Sequence, residues 1–362
     1  MRDQQSLLVN KSKFADCNIE TTTVEELREG EVLLHIDKFA LTSNNITYAV
    51  VGDMMGYWNF FPAEEGMGRI PVWGFATVAD SKCSDVKVGE RFYGYYPMAN
   101  YLKVIPAKNS DYGFMDGAEH RQKLSTIYNY YVRTAKDSVY TKENENLQCL
   151  LGPLFTTSFL INVFFADKDF FGSRQIILTS ASSKTALALA YFVHRRNQTQ
   201  DNPIKLIGLT SPKNQKFVTD RGYYDEVLTY PNYEQLDASV PSAIVEFAGN
   251  HKLQYQLQTH LGDSLRHNCL VGLVHWEEMK GEEKLPQKGD FFFAPTFAQE
   301  KQKEWGREEF NRKWELAWKE FIVSAGNWLN VKELSGADEL KKVYLNMLKG
   351  DFDAKDGYIF GL

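Results

Sequence analysis

The sequence predicts an α/β protein of two domains, a β-rich first part and a later part built on a doubly wound parallel sheet. Three observations predict it. Residues from about 1 to 110 read as extended segments separated by turns. After about 150, short apolar segments alternate with helical stretches, which implies a parallel sheet covered on both faces. Within that region Gln175–Ala190 runs from an apolar stretch through small residues into an apolar helical pattern, as a strand, tight turn and helix start do.

In the first part, Glu31–Phe39 is a strand following a Glu-Gly turn. Val72–Val78 and Arg91–Tyr96 are extended, and Val88-Gly-Glu-Arg91 turns the chain between them. Tyr101–Pro106 is a short strand ended by proline. Residues 112–147, polar and carrying Tyr128, Tyr130, Tyr131 and Tyr140, read as a helical connector. Strands follow at Gln175–Leu178, Ile204–Leu209, Val227–Leu228, Ala243–Phe247, Asn268–Val274 and Phe291–Ala294. The tail opens as a charged helix with Trp305, Trp314 and Trp318, and Gly357–Leu362 is a last strand.

At 362 residues the chain can bury a large core. Hydrophobic content of 43% and charged content of 24% are ordinary for a soluble protein, while 14% aromatics predict broad apolar surfaces in a core, cleft or interface. A net charge of −6 argues against a general nucleic-acid partner. Cys17, Cys83, Cys149 and Cys269 are far apart with no CxxC pair, which excludes a zinc ribbon or dense disulfide framework. No apolar signal segment or membrane-spanning run is read, so the expectation is a cytoplasmic protein with reduced thiols and no membrane partner.

The chemistry centres on Thr179–Thr185, at the carboxyl end of a strand, where parallel sheets place their ligands. Ser180, Ala181, Ser182 and Ser183 allow close backbone approach. Lys184 and Thr185 open a helix whose N-terminus attracts anions. The reading is a pyrophosphate seat; the plain structural alternative is a core helix capped by Ser182 or Ser183. A nucleotide P-loop would need glycines where Leu178 and Ser183 stand. Thr210, Ser211 and Lys213 follow the next strand with no acidic residue for a ribose 2′-hydroxyl. They suit a 2′-phosphate, hence NADP, or simply a helix start with Pro212 in its first turn. Phe247-Ala-Gly249 and Gly272 follow later strands, where small residues permit close cofactor approach or form ordinary turns. The seven histidines show no HxxxH or HExxH spacing, and no Gly-x-Ser-x-Gly elbow exists. Gly56–Pro62 is an aromatic loop, either the roof of an apolar cleft or an interdomain plug.

In order and spacing, several segments resemble the medium-chain dehydrogenase/reductase superfamily. Gly30-Glu-Val-Leu-Leu-His-Ile looks like its opening strand, and Val86–Gly94 like its "F.vGDrV.G" turn. Leu150–Thr157 is similar to "LLGC…T", Gly208 to Tyr230 to its second strand and helix, and Val245-Glu-Phe-Ala-Gly249 to "fd..G". A closer match is an uncharacterised branch marked by Asn44-Asn-Ile-Thr-Tyr48, Gly56-Tyr-Trp, Arg69–Phe75 and Ser180–Ala186. The resemblance implies a GroES-like β-barrel domain over 1–122, rejoined by 325–362, and a Rossmann domain over 123–324.

Where the superfamily's alcohol dehydrogenases carry zinc ligands, this chain has Thr42, Phe75-Ala76 and Pro153, none a good donor. The resemblance therefore falls to the zinc-independent quinone and enone reductases, and no metal site is expected. It places Thr157 near a nicotinamide, or as a helix cap or core hydroxyl. Tyr230 lies near the adenosine phosphate, or is a core tyrosine. Asn45, Thr47 and Tyr48 face the nicotinamide, with Tyr48 able to hydrogen-bond a substrate carbonyl or deliver a proton, or to pack a domain interface. The glycine fingerprint is replaced by Ser180–Thr185, which suffices if the turn needs no positive φ. The expected function is NADPH-dependent hydride transfer to an activated C=C, quinone or carbonyl of an apolar or aromatic small molecule. The alternative is a non-catalytic NADP(H)-binding sensor or partner-binding protein. A homodimer is expected through edge pairing of Phe291–Ala294.

Overall fold

The computed structural model describes residues 2–271 and 284–362. The chain divides into two compact units, Met1–Leu150 with Leu329–Leu362, and Leu151–Trp328. The boundaries thus fall later than the sequence reading placed them. Residues 123–150 join the first unit because this part of the expected helical connector is made of turns and short 3₁₀ segments around one strand, Tyr130–Arg133, which pairs with strands of that unit, a non-local bond that helical-looking composition cannot reveal.

The first unit opens with the antiparallel pair β1 (Asp3–Asn10) and β2 (Lys13–Thr23). β3 (Val32–Leu41) leads into α1 (Ser43–Val50), and β4 (Met67–Gly68) pairs with β1. Then come β5 (Pro71–Ser81), β6 (Arg91–Pro97), β7 (Tyr101–Val104), β8 (Pro106–Ser110), β9 (Gly113–Asp116) and β10 (Tyr130–Arg133). They build an antiparallel sheet in the order β3-β5-β6-β10-β9-β8, with β7 also on β3. The aromatic segment after α1 belongs to this unit's core: Tyr57, Trp58, Phe60 and Phe61 are all buried. Trp58 lies so close to Gly52 and Gly68 that a Cβ at either would sit 2.2 and 2.5 Å from its ring atoms. Arg121 and Asp116 pair in the interior at 2.8 Å, with Tyr131 Oη on the same guanidinium. Such a pair is bearable only because hydrogen bonds complete it.

α2 (Glu145–Asp167) is long and apolar enough to cross a bilayer by length and composition, contrary to the sequence reading. Of its most apolar window, 61% is buried in the fold, as in a core helix.

The second unit alternates strand and helix: β11 (Gln175–Leu178), α3 (Lys184–Asn197), β12 (Lys205–Thr210), α4 (Gln215–Thr219), β13 (Glu226–Thr229), β14 (Ser242–Glu246), α5 (His251–Leu261), β15 (Leu265–Leu270) and β16 (Asp290–Phe291). All pairings are parallel and the order is β13-β12-β11-β14-β15-β16. Numbered from β11, that is 3-2-1-4-5-6, the doubly wound order with its switch point between β11 and β14. Ile177, Ile207, Leu209, Leu228 and Ile244 project from these strands into one core with Leu253, Leu257 and Leu261 of α5. The strand expected over Phe291–Ala294 stops at Phe291 because Ala294-Pro295 opens α6 (Ala294–Trp305), proline suiting a first helical turn. α7 (Arg307–Gly326) follows.

The tail returns to the first unit. β17 (Asn330–Ser335) and β18 (Asp356–Gly361), joined by α8 (Ala337–Leu348), extend the sheet, β18 antiparallel to β3 and β17 parallel to β18. The expected last strand is therefore present.

Candidate functional site

The second unit's candidate site is the crevice at the carboxyl ends of β11, β12 and β14. Thr179 directly follows β11 and is fully buried. Its N–H donates to Val245 O at 3.1 Å, and Ala181 N–H donates to Leu209 O at 2.9 Å, so the turn is pinned to both flanking strands. Ser180 between them has φ +47°, a left-handed conformation that an L side chain rarely adopts. The condition under which serines would suffice, a turn without positive φ, is therefore not met. The turn does need one, and Ser180 bears it where a glycine would not.

Ser183 is the N-cap of α3, its Oγ accepting from Ala186 N–H at 3.2 Å. Lys184 and Thr185 hold the first two helical positions, where the helix itself does not use the backbone N–H groups. Ser158 of α2 donates to Thr185 O at 2.7 Å and fixes that first turn from behind. Ser182 accepts from Asn214 Nδ2 at 3.0 Å, which ties the turn to the segment after β12.

Close packing explains the small residues. A Cβ at Gly208 of β12 would lie 3.0 Å from both Ala181 Cβ and the Tyr224 ring. Tyr224 Oη donates to Ala181 O at 3.1 Å, and burial pushes its hydroxyl pKa well up, so it stays a donor. Tyr230 follows β13, with its hydroxyl 3.4 Å from Ser180 Oγ.

Thr210 and Ser211, at the end of β12, have buried hydroxyls with no hydrogen-bond partner among the described residues. Thr210 is 1% exposed. A buried hydroxyl left unpaired costs free energy, so two of them in a crevice mark places where an outside group would be welcome. Lys213 lies in the 3₁₀ turn Pro212–Asn214 that follows.

On the other side of the switch point stands Glu246, 1% exposed at the end of β14. Its carboxylate accepts from Ala248 N–H at 2.9 Å and Gly249 N–H at 2.7 Å, and Thr179 Oγ1 donates to it at 3.3 Å. Burial holds its pKa above the ordinary carboxyl range, and the amides only partly offset this. Gly249 has φ +77° in the resulting turn, Phe247 is buried, and Asn250 caps α5. Sequence reasoning missed Glu246, Tyr224 and Gly208. An acid ending an otherwise apolar strand before Phe-Ala-Gly was the available signal for the first.

Thr157 lies inside α2 rather than at a cap, its hydroxyl donating back to Pro153 O at 3.1 Å. Gly272 lies outside the described residues.

In the first unit, Asn45 is spent on structure. Its Oδ1 accepts from Thr42 N–H at 2.7 Å and its Nδ2 donates to Pro71 O at 2.9 Å, fixing the start of α1 against β5. Thr47 is half-buried on α1. Tyr48 is 6% exposed and packs on Tyr57 with ring centroids 4.7 Å apart and on Tyr95 at 5.6 Å. Tyr57 and Tyr128 hydroxyls meet at 3.2 Å, and Tyr95 Oη is buried without a partner among the described residues. Burial, then the neighbouring Tyr57, pushes the Tyr48 hydroxyl far above its usual range, although Trp73 and Asn44 face it. It is a protonated donor at any physiological pH.

No curated protein matches the sequence. Several solved structures share its fold. CurA from Vibrio vulnificus in complex with NADPH has a TM-score of 0.61 at 10% identity, covering 99% of this chain and 98% of that one. The yhdH oxidoreductase from Salmonella enterica in complex with NADP has a TM-score of 0.56 at 12% identity, with 99% of each chain covered. A mutant enoyl thioester reductase from Candida tropicalis has a TM-score of 0.55 at 10% identity, with 100% of each covered. The expected architecture, a β-rich domain with a Rossmann domain as in the medium-chain dehydrogenase/reductase superfamily, is the one found. Residues 39–353 match the family described as "Protein of unknown function (DUF2855)", and the chain belongs to that family.

Proposed function

We propose that this chain is a cytosolic NADPH-dependent oxidoreductase, acting without zinc on an activated C=C, quinone or carbonyl of an apolar or aromatic small molecule. The observation that carries the proposal is the pair of orphaned hydroxyls, Thr210 and Ser211, beside Lys213 at the end of β12. They fit a 2′-phosphate, and no carboxylate stands among these three residues to repel it. The turn Ser180–Ser183 and the first turn of α3 would hold the pyrophosphate through backbone N–H groups, with Lys184 adding charge. Glu246 would keep Phe247–Gly249 folded beside them. The fold neighbours crystallised with NADPH or NADP support the cofactor class. The cofactor, when bound, supplies the hydride.

The chain's own residues would bind and orient. Tyr48 is proposed to donate its hydroxyl to the substrate oxygen and stabilise charge developing there. The rings of Tyr57, Tyr95 and Tyr128 would favour a flat apolar substrate. Asn45 acts as a positioning residue for the helix carrying Tyr48. Zinc independence rests on the non-ligating side chains of Thr42, Phe75, Ala76 and Pro153. A homodimer through the edge strand Asp290–Phe291 belongs to the same proposal, with light scattering on purified protein as its check.

The test is a titration with NADPH followed by a turnover panel of enones, quinones and aldehydes. Binding below millimolar, weakened about tenfold or more in Lys184→Ala, is expected from the loss of one phosphate contact. No nucleotide-dependent change in fluorescence or melting would sink the proposal. Binding with no NADPH oxidation across the panel would move the protein to the sensor reading.

A further inference from the structure

The second unit contains a cavity of about 330 Å³ that the crevice does not use. It lies at the opposite edge of the sheet, where Arg174 precedes β11, Asn197 ends α3 and Ile204 precedes β12. A helix of 14 residues spans about 21 Å, so the two places sit at the two ends of α3.

Two arginines line the cavity, Arg174 and Arg196. Neither forms an ion pair with any described residue; Arg196 lies over the Phe170 ring at 4.9 Å. Asp169 and Asp201 stand at the exposed rim, also outside any ion pair among the described residues. Ser173, also lining the cavity, is 3% exposed, and its Oγ is buried with no partner among the described residues.

The wall next to Ser173 is built at a cost. Asp169, Phe170, Phe171 and Gly172 all have positive φ, at 46°, 51°, 57° and 69°. Three consecutive non-glycine residues in that region are costly, and such turns persist only when their surroundings hold them. Here Phe170 is buried, and Phe171 stacks on His267 with centroids 3.7 Å apart and planes 8° apart. The turn brings Ser173 and Arg174 beside Arg196.

We propose that this cavity is a second ligand site, for a small polar molecule bearing a phosphate or carboxylate. The two guanidinium groups would bind the oxyanion, with the Ser173 hydroxyl as a further donor. The carbonyl end of α3 is unfavourable to an anion, and Arg196 in the helix's last turn offsets it. Asp169 and Asp201 would accept from hydroxyl or ammonium groups on the rest of the molecule.

The test is thermal melting of the full chain in a phosphate-free buffer, titrated separately with inorganic phosphate and acetate, against sodium chloride at matched ionic strength. A saturable rise of about 2–4 °C at a tenfold excess over Kd is expected for one or both oxyanions. Arg174→Met, at an exposed position, and Arg196→Met should each abolish it, and Ser173→Ala should weaken it several-fold. Lys184→Ala, at the other end of α3, should leave it intact. Circular dichroism of Arg174→Met separates lost binding from lost fold. A rise lost in Lys184→Ala and kept in the arginine variants would place the anion in the crevice and overturn the proposal. So would a rise that chloride reproduces.

Discussion

Thr179 Oγ1 donates to Glu246 Oε1 at 3.3 Å and bridges the ends of β11 and β14, the two strands on either side of the switch point. The same Thr179 oxygen accepts from Phe247 N–H at 3.2 Å, so one hydroxyl and one carboxylate hold both loops of the crevice. Glu246→Gln keeps one acceptor oxygen but turns an amide donor toward Gly249 N–H. Urea unfolding should show a loss of about 1–3 kcal/mol. NADPH affinity should fall with it, since Phe247–Gly249 loses its anchor. Unchanged stability in the variant would mean that the carboxylate is not the anchor.

Ser180 carries the left-handed geometry that the missing glycine fingerprint would have supplied. Relief of that conformation is worth about 1–2 kcal/mol, partly offset by the greater freedom of glycine in the unfolded chain. Ser180→Gly should therefore raise stability by up to about 1 kcal/mol, read as a higher melting temperature. Ser180→Ala, which keeps the strain, should not. A destabilised glycine variant would show that the Ser180–Tyr230 contact outweighs the strain.

These two residues mark how much the sequence disclosed. The strand–turn–helix at Gln175–Ala190 was legible because small residues between two apolar patterns are a local signal. The backbone conformation of Ser180 was not, since positive φ is read from glycine and this turn has none. Glu246 was hidden because its partners are backbone amides and a threonine 67 residues away. The composition of 112–147 suggests a helix, yet Tyr130–Arg133 is made a strand by partners at Tyr93 and Phe114, which no local composition encodes. In the first unit, the sequence singled out Tyr48 and Asn45 together. Only geometry separates a tyrosine with a protonated hydroxyl from an asparagine already committed to Thr42 and Pro71.

Acid should unfold the first unit partly through Glu145. Its fully buried side chain accepts from Arg91 Nε at 2.7 Å and Tyr140 Oη at 2.8 Å, with Lys142 and Lys38 nearby. Burial alone would raise its pKa, but these partners outweigh that and hold it at about 2, against an ordinary 4.5. A depressed carboxyl pKa adds stability that is fully present above the unfolded value and is lost as pH falls toward the folded one. Between pH 4.5 and 2 the loss should reach about 3 kcal/mol from this group. Urea unfolding at pH 7, 4 and 3 would measure it. Glu145→Gln should be less stable at pH 7 and show a shallower decline. A decline equal to that of the parent protein would assign acid sensitivity to other carboxylates.

The end of β12 offers a test in which stability and binding move in opposite directions. Thr210 Oγ1 is buried without a partner among the described residues, so Thr210→Val removes an unsatisfied hydroxyl at nearly constant shape. A merely structural threonine predicts a variant as stable as the parent or more so, with nothing else altered. If the hydroxyl instead serves a 2′-phosphate, the stabilised variant should bind NADPH several-fold more weakly and NADH unchanged. Lys213→Ala should weaken NADPH by about tenfold and leave NADH alone, because only NADPH brings the extra charge. Fluorescence titrations with both nucleotides would decide it. Equal losses for NADPH and NADH would move these residues from cofactor choice to general support of the crevice, and the preference for the phosphorylated cofactor would need another source.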